Sequence, residues 1–237
     1  MAAGPDATGT DVSIVKVLPE LRAAGGTQMA FDAGLLETAE QVVARRYTWA
    51  PPALSLGRFQ QVELVPGLPF DVVRRPSGGR AVLHGEGFEW SFAVAFPPGV
   101  PHGGPRAVVD VGGPYGLVAA AFAGALEDLG VTLDGAERTD YVRSTLCFAG
   151  ALRYDLCARG EKIVAIAQAK RERRTLVHGS VLLQRPPREL TDAVEALLGE
   201  PWQGEGLAAA GVTVAEATLW NATLPRLEAG LSRAAEG

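Results

Sequence analysis

Residues 71–94 read DVVRRPSGGRAVLHGEGFEWSFAV. An extended apolar run, Asp71-Val72-Val73, delivers Arg74 and Arg75 to a Pro76-Ser77-Gly78-Gly79 corner. A second β-rich run begins at Arg80, passes Ala81, Val82 and Leu83, and places His84 at its far end. Adjacent glycines let backbone N–H groups approach a ligand with no Cβ in the way, and such turns can form anion-binding nests. The flanking arginines add fixed positive charge with fork-shaped donors. The plain alternative is a β-hairpin closed by a glycine turn. The arginine pair before the corner and Arg-Ala-Val-Leu-His after it favour a ligand-binding loop.

Working outward, 237 residues suit one large domain after a short disordered leader, residues 1–10, with residues 11–237 as a single unit. Hydrophobic content of 47% is enough for a core, and 21% charged residues is ordinary for a globular protein. A net charge of −5 argues against a nucleic-acid partner. No apolar run is long enough to span a bilayer, and the N-terminus lacks the pattern of a signal peptide. The triplet Asn221-Ala222-Thr223 therefore reads as chance, and a cytoplasmic location is expected. Cys147 and Cys157 are the only cysteines, which makes neither a disulfide framework nor a zinc spacing; no metal site is expected.

Further along the chain, Ser13–Leu18 alternates like a strand. Phe31, Leu35, Ala39, Val42 and Val43 recur at helical spacing, predicting a helix from Thr27, a plausible N-cap, to about Arg45. A short strand is expected at Ala53–Leu56, and a loop over 97–113. A helix over Tyr115–Leu129 should end at Gly130, with a charged loop over 134–144. Strands are expected at Leu152–Ala158, Lys162–Gln168 and Thr175–Gln184, with Gly160 turning the first into the second. A short helix over Leu190–Leu198, a strand-like piece near Gly211–Ala215 and a last helix over Leu224–Ala235 complete the pattern. Elements mix rather than alternate, so the fold class is α+β, with a mixed, largely antiparallel sheet flanked by helices.

Several residues could carry chemistry. A free cysteine is most often a small buried hydrophobe, and Cys157, inside a strand that faces Tyr154, Leu156 and Ala158 one way and Asp155 and Cys157 the other, keeps that reading. Cys147 stands at the end of a loop, where a thiol can be exposed. Lys162 follows a tight turn; pointing inward, its ammonium would favour a neighbouring thiolate. At about 4 Å and an effective dielectric near 20 that attraction is about 4 kcal/mol before desolvation. His178 sits in an apolar strand, and Gly179 beside it implies that something approaches the backbone closely. His102, in a proline–glycine loop, is given no role. The run Lys170-Arg171-Glu172-Arg173-Arg174 reads as a solvated turn, and as the one dense positive patch it could dock an acidic partner.

Taken in order, these pieces resemble the lipoate–protein ligase and octanoyltransferase family, a branch of the biotin/lipoate protein ligase fold. Gln28-Met29-Ala30-Phe31-Asp32 is similar to the family's Asn-Met-Ala-x-Asp helix. Trp49 and Leu56-Gly57-Arg58-Phe59-Gln60 resemble its Trp-x-Pro segment ending in Gly-x-x-Gln. Arg74 to His84 resembles the signature Arg-Arg-x-Ser-Gly-Gly, then Arg or Gly, then Ala-Val-x-His. Gly160-Glu161-Lys162-Ile163 with Ala167-Gln168 resembles Gly-x-Lys-Ile-x-Gly-x-Ala-Gln, and His178-Gly179-Ser180 its His-Gly-Ser.

Within the family, Gly78-Gly79-Arg80 and a cysteine ahead of the family lysine, Cys147-Phe148 before Tyr154-Asp155-Leu156 and Lys162, resemble the cysteine-dependent octanoyltransferases of Gram-positive type. That branch implies octanoyl transfer from acyl carrier protein, through a cysteine thioester, to a lysine of a lipoyl domain such as the glycine-cleavage H protein. Cys147 would be the nucleophile and Lys162 its activator and a donor to the carbonyl oxygen. Arg74, Arg75, Ser77, Gly78, Gly79, Arg80, Ala81, Val82, His84, Ala165, Ala167, Gln168, His178 and Gly179 would line the substrate site, the arginines meeting the donor's phosphopantetheine or acidic carrier. No cofactor is implied; ATP and magnesium would enter only in the ATP-dependent ligases, which commonly carry a third glycine. An octanoyl amidotransferase acting between lipoyl domains is a further alternative, although that group generally lacks the His-Gly-Ser present here. Ala165 stands where the family has glycine, which would narrow the pocket, alter chain-length preference, or mark an acyl-binding paralogue without turnover. Gly85 to Glu89 also departs from the family's usual run after the histidine.

Overall fold

The computed structural model describes residues 13–100, 113–134, 144–152 and 155–236. The expected leader over 1–10, His102, Tyr154 and most of the loops over 97–113 and 134–144 lie outside the described residues. In chain order the elements are β1 (Val15–Val17), β2 (Leu21–Ala23), α1 (Gly25–Thr38), β3 (Val42–Trp49) and β4 (Ala53–Leu56). Then come β5 (Asp71–Arg74), β6 (Val82–His84), β7 (Glu89–Phe96), α2 (Pro114–Asp128), β8 (Leu156–Ala158), β9 (Glu161–Arg171) and β10 (Arg174–Leu182). Helices α3 (Arg188–Leu198), α4 (Gly206–Ala209) and α5 (Glu216–Glu236) follow.

The larger sheet has the order β1-β3-β7-β10-β9-β8, with β2 also on β3. Strands β1 and β2 run parallel to β3, and the remaining pairs are antiparallel. This is the α+β arrangement expected. Strands β9 and β10 close through Glu172 and Arg173, both at positive φ, the two-residue hairpin geometry that matches strand twist. The basic run is thus a solvated turn. The smaller sheet has β4 between β5 and β6, parallel to the first and antiparallel to the second. Residues 71–84 therefore form no hairpin. The glycine corner crosses over β4 instead, which hangs the loop above the face of the larger sheet.

Four expectations need correction. Helix α1 ends at Thr38, and Val42 and Val43 open β3. These β-branched residues belong to a strand buried on both faces, where an apolar run carries no alternation that separates it from a helix. The N-cap is Ala24 with no side-chain bond, not Thr27, because Gly25 must lie against Ala53, Trp49 and Val73, where a Cβ would stand 3.0–3.1 Å from each. The strand expected near 211–215 is instead a turn at 210–211 followed by irregular backbone leading into α5. Helix α5 begins at Glu216 and runs through Pro225; burial of Leu219, Trp220, Leu227 and Leu231 offsets the backbone bond that proline removes.

Helices α2 and α5 cover one face of the large sheet. Phe92 and Phe122 stack with centroids 4.2 Å apart, and Trp220 meets the Trp90 ring edge-on at 6.3 Å. Each such fully buried side chain contributes about 1.5–3 kcal/mol. The opposite face carries α1, the small sheet and the segment 144–152, and it is there that the cavity opens.

Candidate active site

Sheet register builds the floor of a cavity of about 350 Å³. Tyr47, Ser91, Ser180 and Ala165 form one cross-strand row, and Arg45, Ala93, His178 and Ala167 the next. Side chains on one face recur every second residue, so Trp90, Phe92, Val177 and Val181 point away into the helical core. Ala165 and Ala167, which line the cavity, are small, and this leaves the space open. Walls come from Trp49, Arg75, Gly79, Arg80, Val82 and His84, and the segments bearing Cys147, Leu152, Asp155 and Lys162 complete the lining.

Cys147 is set by a parallel bridge between Leu146 and Ala81. The Ala81 amide donates to the Thr145 carbonyl at 2.8 Å, and the Cys147 amide to the Ala81 carbonyl at 2.9 Å. The signature loop thereby fixes the cysteine directly. Lys162, 5% exposed, sends Nζ to the Cys147 carbonyl at 2.9 Å, the Gly150 carbonyl at 3.3 Å and Cys147 Sγ at 3.4 Å. Asp155 Oδ2 pairs with the same nitrogen at 2.7 Å. Burial alone would lower the lysine; the charges of Cys147 and Asp155 outweigh it and hold the ammonium above the ordinary value. The result is a half-buried thiol facing a buried ammonium donor.

Two buried imidazoles brace the loop overhead. His178 Nδ1 donates to Asp32 Oδ2 at 2.9 Å, and its Nε2 meets the Ser77 hydroxyl at 2.6 Å. Asp32 is itself paired with Arg45 at 3.1 Å and accepts from the Tyr47 hydroxyl at 3.0 Å. His84 stacks on Trp49 with centroids 4.0 Å apart. Burial, with nearby Arg75, lowers its pKa against the pull of Glu89, which favours the neutral ring. It donates from Nδ1 to Glu89 at 3.0 Å and accepts at Nε2 from Ser55 at 2.6 Å. Arg75 closes the chain, donating to the Ser55 hydroxyl and to the Ser55 and Arg80 carbonyls at 2.6–2.7 Å.

Of the residues expected at the substrate site, Arg75, Gly79, Arg80, Val82, His84, Ala165, Ala167, His178 and Gly179 line this cavity together with Cys147 and Lys162. Arg74, Ser77, Gly78 and Gln168 line a second, more open cleft against α1 instead, and Ala81 is buried behind Cys147. Arg74 donates to the carbonyls of Gly57 and Gln60 at 2.8 Å each, and Arg75 is 8% exposed. Buried Arg75 spends its donors on the loop, and Arg74, though exposed, binds carbonyls of the neighbouring 57–60 segment. Gly57 shows why the corner is tight: a Cβ there would stand 2.0 Å from the Gly79 carbonyl. Cys157 is buried in β8, as read from sequence.

The chain matches the family model of the lipoyl protein ligase A/B catalytic domain over residues 25–203. It belongs to that family. This lipoyl ligase-type chain is 32% identical over 182 residues to the octanoyltransferase LipM of Macrococcus caseolyticus and 31% identical over 182 residues to that of Staphylococcus aureus. Each match covers 69% of this chain and 64% of the relative, so the chain spans less than two thirds of the length of these curated relatives. A lipoate protein ligase from T. acidophilum superposes with a TM-score of 0.65 at 21% identity, covering 92% of this chain and 85% of that one. A lipoate-protein ligase A bound with ATP superposes with a TM-score of 0.62 at 20% identity, covering 92% and 85%.

Sequence reasoning on this lipoyl ligase-family chain missed Asp32 and Glu89 as the carboxylates behind the histidines. A signal existed: Glu89 and Ser91 alternate with Trp90 and Phe92, and Gln28 and Asp32 sit one turn apart in α1, so both polar pairs share a face with the site. Gly179 was expected to mark a close approach, and the neighbours are the Ala165 carbonyl and the Phe92 ring, each 2.4 Å from a Cβ placed there. Gly179→Ala should therefore destabilise the chain by about 1–3 kcal/mol, checked by urea unfolding. A midpoint equal to that of the parent would mean that β9 and β10 can part without cost.

Proposed function

We propose that this chain is a cysteine-dependent octanoyltransferase of lipoate assembly, and the observation that carries the reading is Cys147 Sγ 3.4 Å from the buried Lys162 ammonium. The Cys147 thiolate attacks the carbonyl carbon of an octanoyl thioester on acyl carrier protein. The carbonyl π electrons move onto oxygen, where Lys162 Nζ donates a hydrogen bond to the developing charge. Collapse expels the carrier thiolate, which takes up a proton, and leaves octanoyl on Cys147. A lysine amine of a lipoyl domain, such as the glycine-cleavage H protein, then attacks that thioester, loses a proton and leaves as the amide, returning the Cys147 thiolate. Thioester exchange is nearly isoenergetic and amide formation is downhill, so the cycle needs no nucleotide.

The alanine-lined floor and Val82 accommodate the alkyl chain. The exposed turn at 170–174 supplies positive charge for acidic carrier and acceptor domains. The relatives named octanoyltransferase support the same chemistry. The test is intact-mass spectrometry after mixing with octanoyl-acyl carrier protein and no nucleotide. One octanoyl adduct is expected on the parent and none on Cys147→Ala. Product formed only with ATP present would replace this reading with an ATP-dependent ligase.

A further inference from the structure

Glu200 lies outside the cavity, just past α3, yet its carboxylate reaches the segment that carries Cys147. A single oxygen, Oε1, accepts from the Ser144 hydroxyl at 2.9 Å, the Thr145 amide at 2.7 Å, the Thr145 hydroxyl at 2.5 Å and the Leu146 amide at 2.9 Å. Directly after these residues come the bridge to Ala81 and the contacts of Cys147 with Lys162. Residues 144–152 form no strand or helix beyond that one bridge, so two of their leading amides are satisfied by a carboxylate in place of a ladder partner. Partial burial alone would raise the Glu200 carboxyl; the bonds from Thr145 and Ser144 outweigh it and hold the group below the usual carboxylate range. The carboxylate is therefore ionised at neutral pH, the form in which it accepts from all four donors.

We propose that Glu200 is a positioning residue for acyl transfer, a latch that holds residues 144–146 so that the Cys147 thiol faces Lys162. The proposal rests on Cys147 as the acyl acceptor. Releasing the latch separates Sγ from Nζ while Val82, Ala165 and Ala167 stay in place along the cavity, and the loss therefore falls on kcat more than on KM. A misplacement of about an ångström at a reacting group lowers rate by as much as roughly 100-fold.

The experiment compares steady-state transfer by the parent, Glu200→Ala, Glu200→Gln and Glu195→Ala. Glu195 is a control at the same helix end, where its carboxylate accepts from the Trp202 amide at 2.7 Å without reaching the cysteine segment. Glu200→Ala is expected to lower kcat roughly 10- to 100-fold with KM for the octanoyl donor little changed. Glu200→Gln, which keeps an oxygen for the two amides, recovers part of the loss, and Glu195→Ala keeps the parent kcat. A parent kcat in Glu200→Ala, a loss confined to KM, or an equal loss in Glu195→Ala overturns the proposal. Should Glu200→Ala not fold, Glu200→Gln and Thr145→Val carry the test, and parent values in both overturn it. A parent that forms no octanoyl adduct removes the acyl-transfer reading by itself. The variants are then read on alkylation of Cys147 by iodoacetamide, where a slower rate in Glu200→Ala supports the latch and an unchanged rate defeats it.

Discussion

Under the proposed acyl-transfer chemistry, Lys162→Met is expected to lower octanoyl transfer by about 10²–10³-fold, the usual cost of deleting one donor aimed at a developing oxyanion. The same change leaves the Asp155 carboxylate, whose side chain is 5% exposed, without its cation. Breaking a buried pair from one side costs about 3–5 kcal/mol, so the variant should also unfold at lower denaturant. The two losses separate in the double variant Lys162→Met with Asp155→Asn. It removes the orphaned charge and should recover much of the stability while transfer stays low. Recovery of transfer in the double variant would remove Lys162 from the chemistry. The pH dependence has a defined sign. The lysine is raised in the folded state, so its contribution is complete below the unfolded value of about 10.4 and fades as pH rises through the folded value. Parent and Lys162→Met should therefore converge in stability only in alkali.

Asp32→Ala carries an expected stability loss as large as that of Lys162→Met. Its carboxylate, 0% exposed, is shared by Arg45, the Tyr47 hydroxyl and His178. Arg45 is 2% exposed, and it lies 3.8 Å above the Tyr47 ring with a bond from Nη2 to the Gln28 side chain at 2.8 Å. Neither contact neutralises it. Removal of Asp32 leaves a buried guanidinium unpaired, a loss of about 3–5 kcal/mol, to be read as a fall in the urea midpoint at unchanged slope. Asp32→Asn keeps an acceptor for His178 and should cost less. A parent midpoint for Asp32→Ala would mean that water reaches Arg45.

The signature at 74–84 is legible without coordinates because its chemistry is local: glycines that permit close backbone approach, fixed positive charge, and a histidine in fixed register. Its topology was not. Two extended runs joined by Pro-Ser-Gly-Gly look like a hairpin, and only the arrival of β4 from 15 residues upstream splits them. The α1–β3 boundary was missed for a related reason. A strand buried on both faces has no period of two, so Val42 and Val43 fit a helix as well as a strand until β1 and β7 flank them. Helix α5 begins at Glu216, ahead of the expected Leu224, because Leu219 and Trp220 are buried in the core with α2, which is a tertiary fact.

The candidate site divides in the same way. Cys147, Lys162 and the two histidines are legible by residue type, place in a pattern and family resemblance, since only a few side chains can act as nucleophile or charged donor. Their partners are not. Asp32 and His178 are 146 residues apart, Ser77 and His178 101, and Thr145 and Glu200 55, and nothing in a single sequence encodes such a pairing. The sequence by itself determined the signature loop and which side chains are candidates for the chemistry proposed, because these reside in side-chain type and short-range backbone freedom. Tertiary structure alone decided that the arginines brace the loop, that Asp155 and Glu200 hold the lysine and the cysteine segment, and that alanines leave the cavity open. Those outcomes depend on which strands become neighbours, a long-range property settled by the packing of the whole chain.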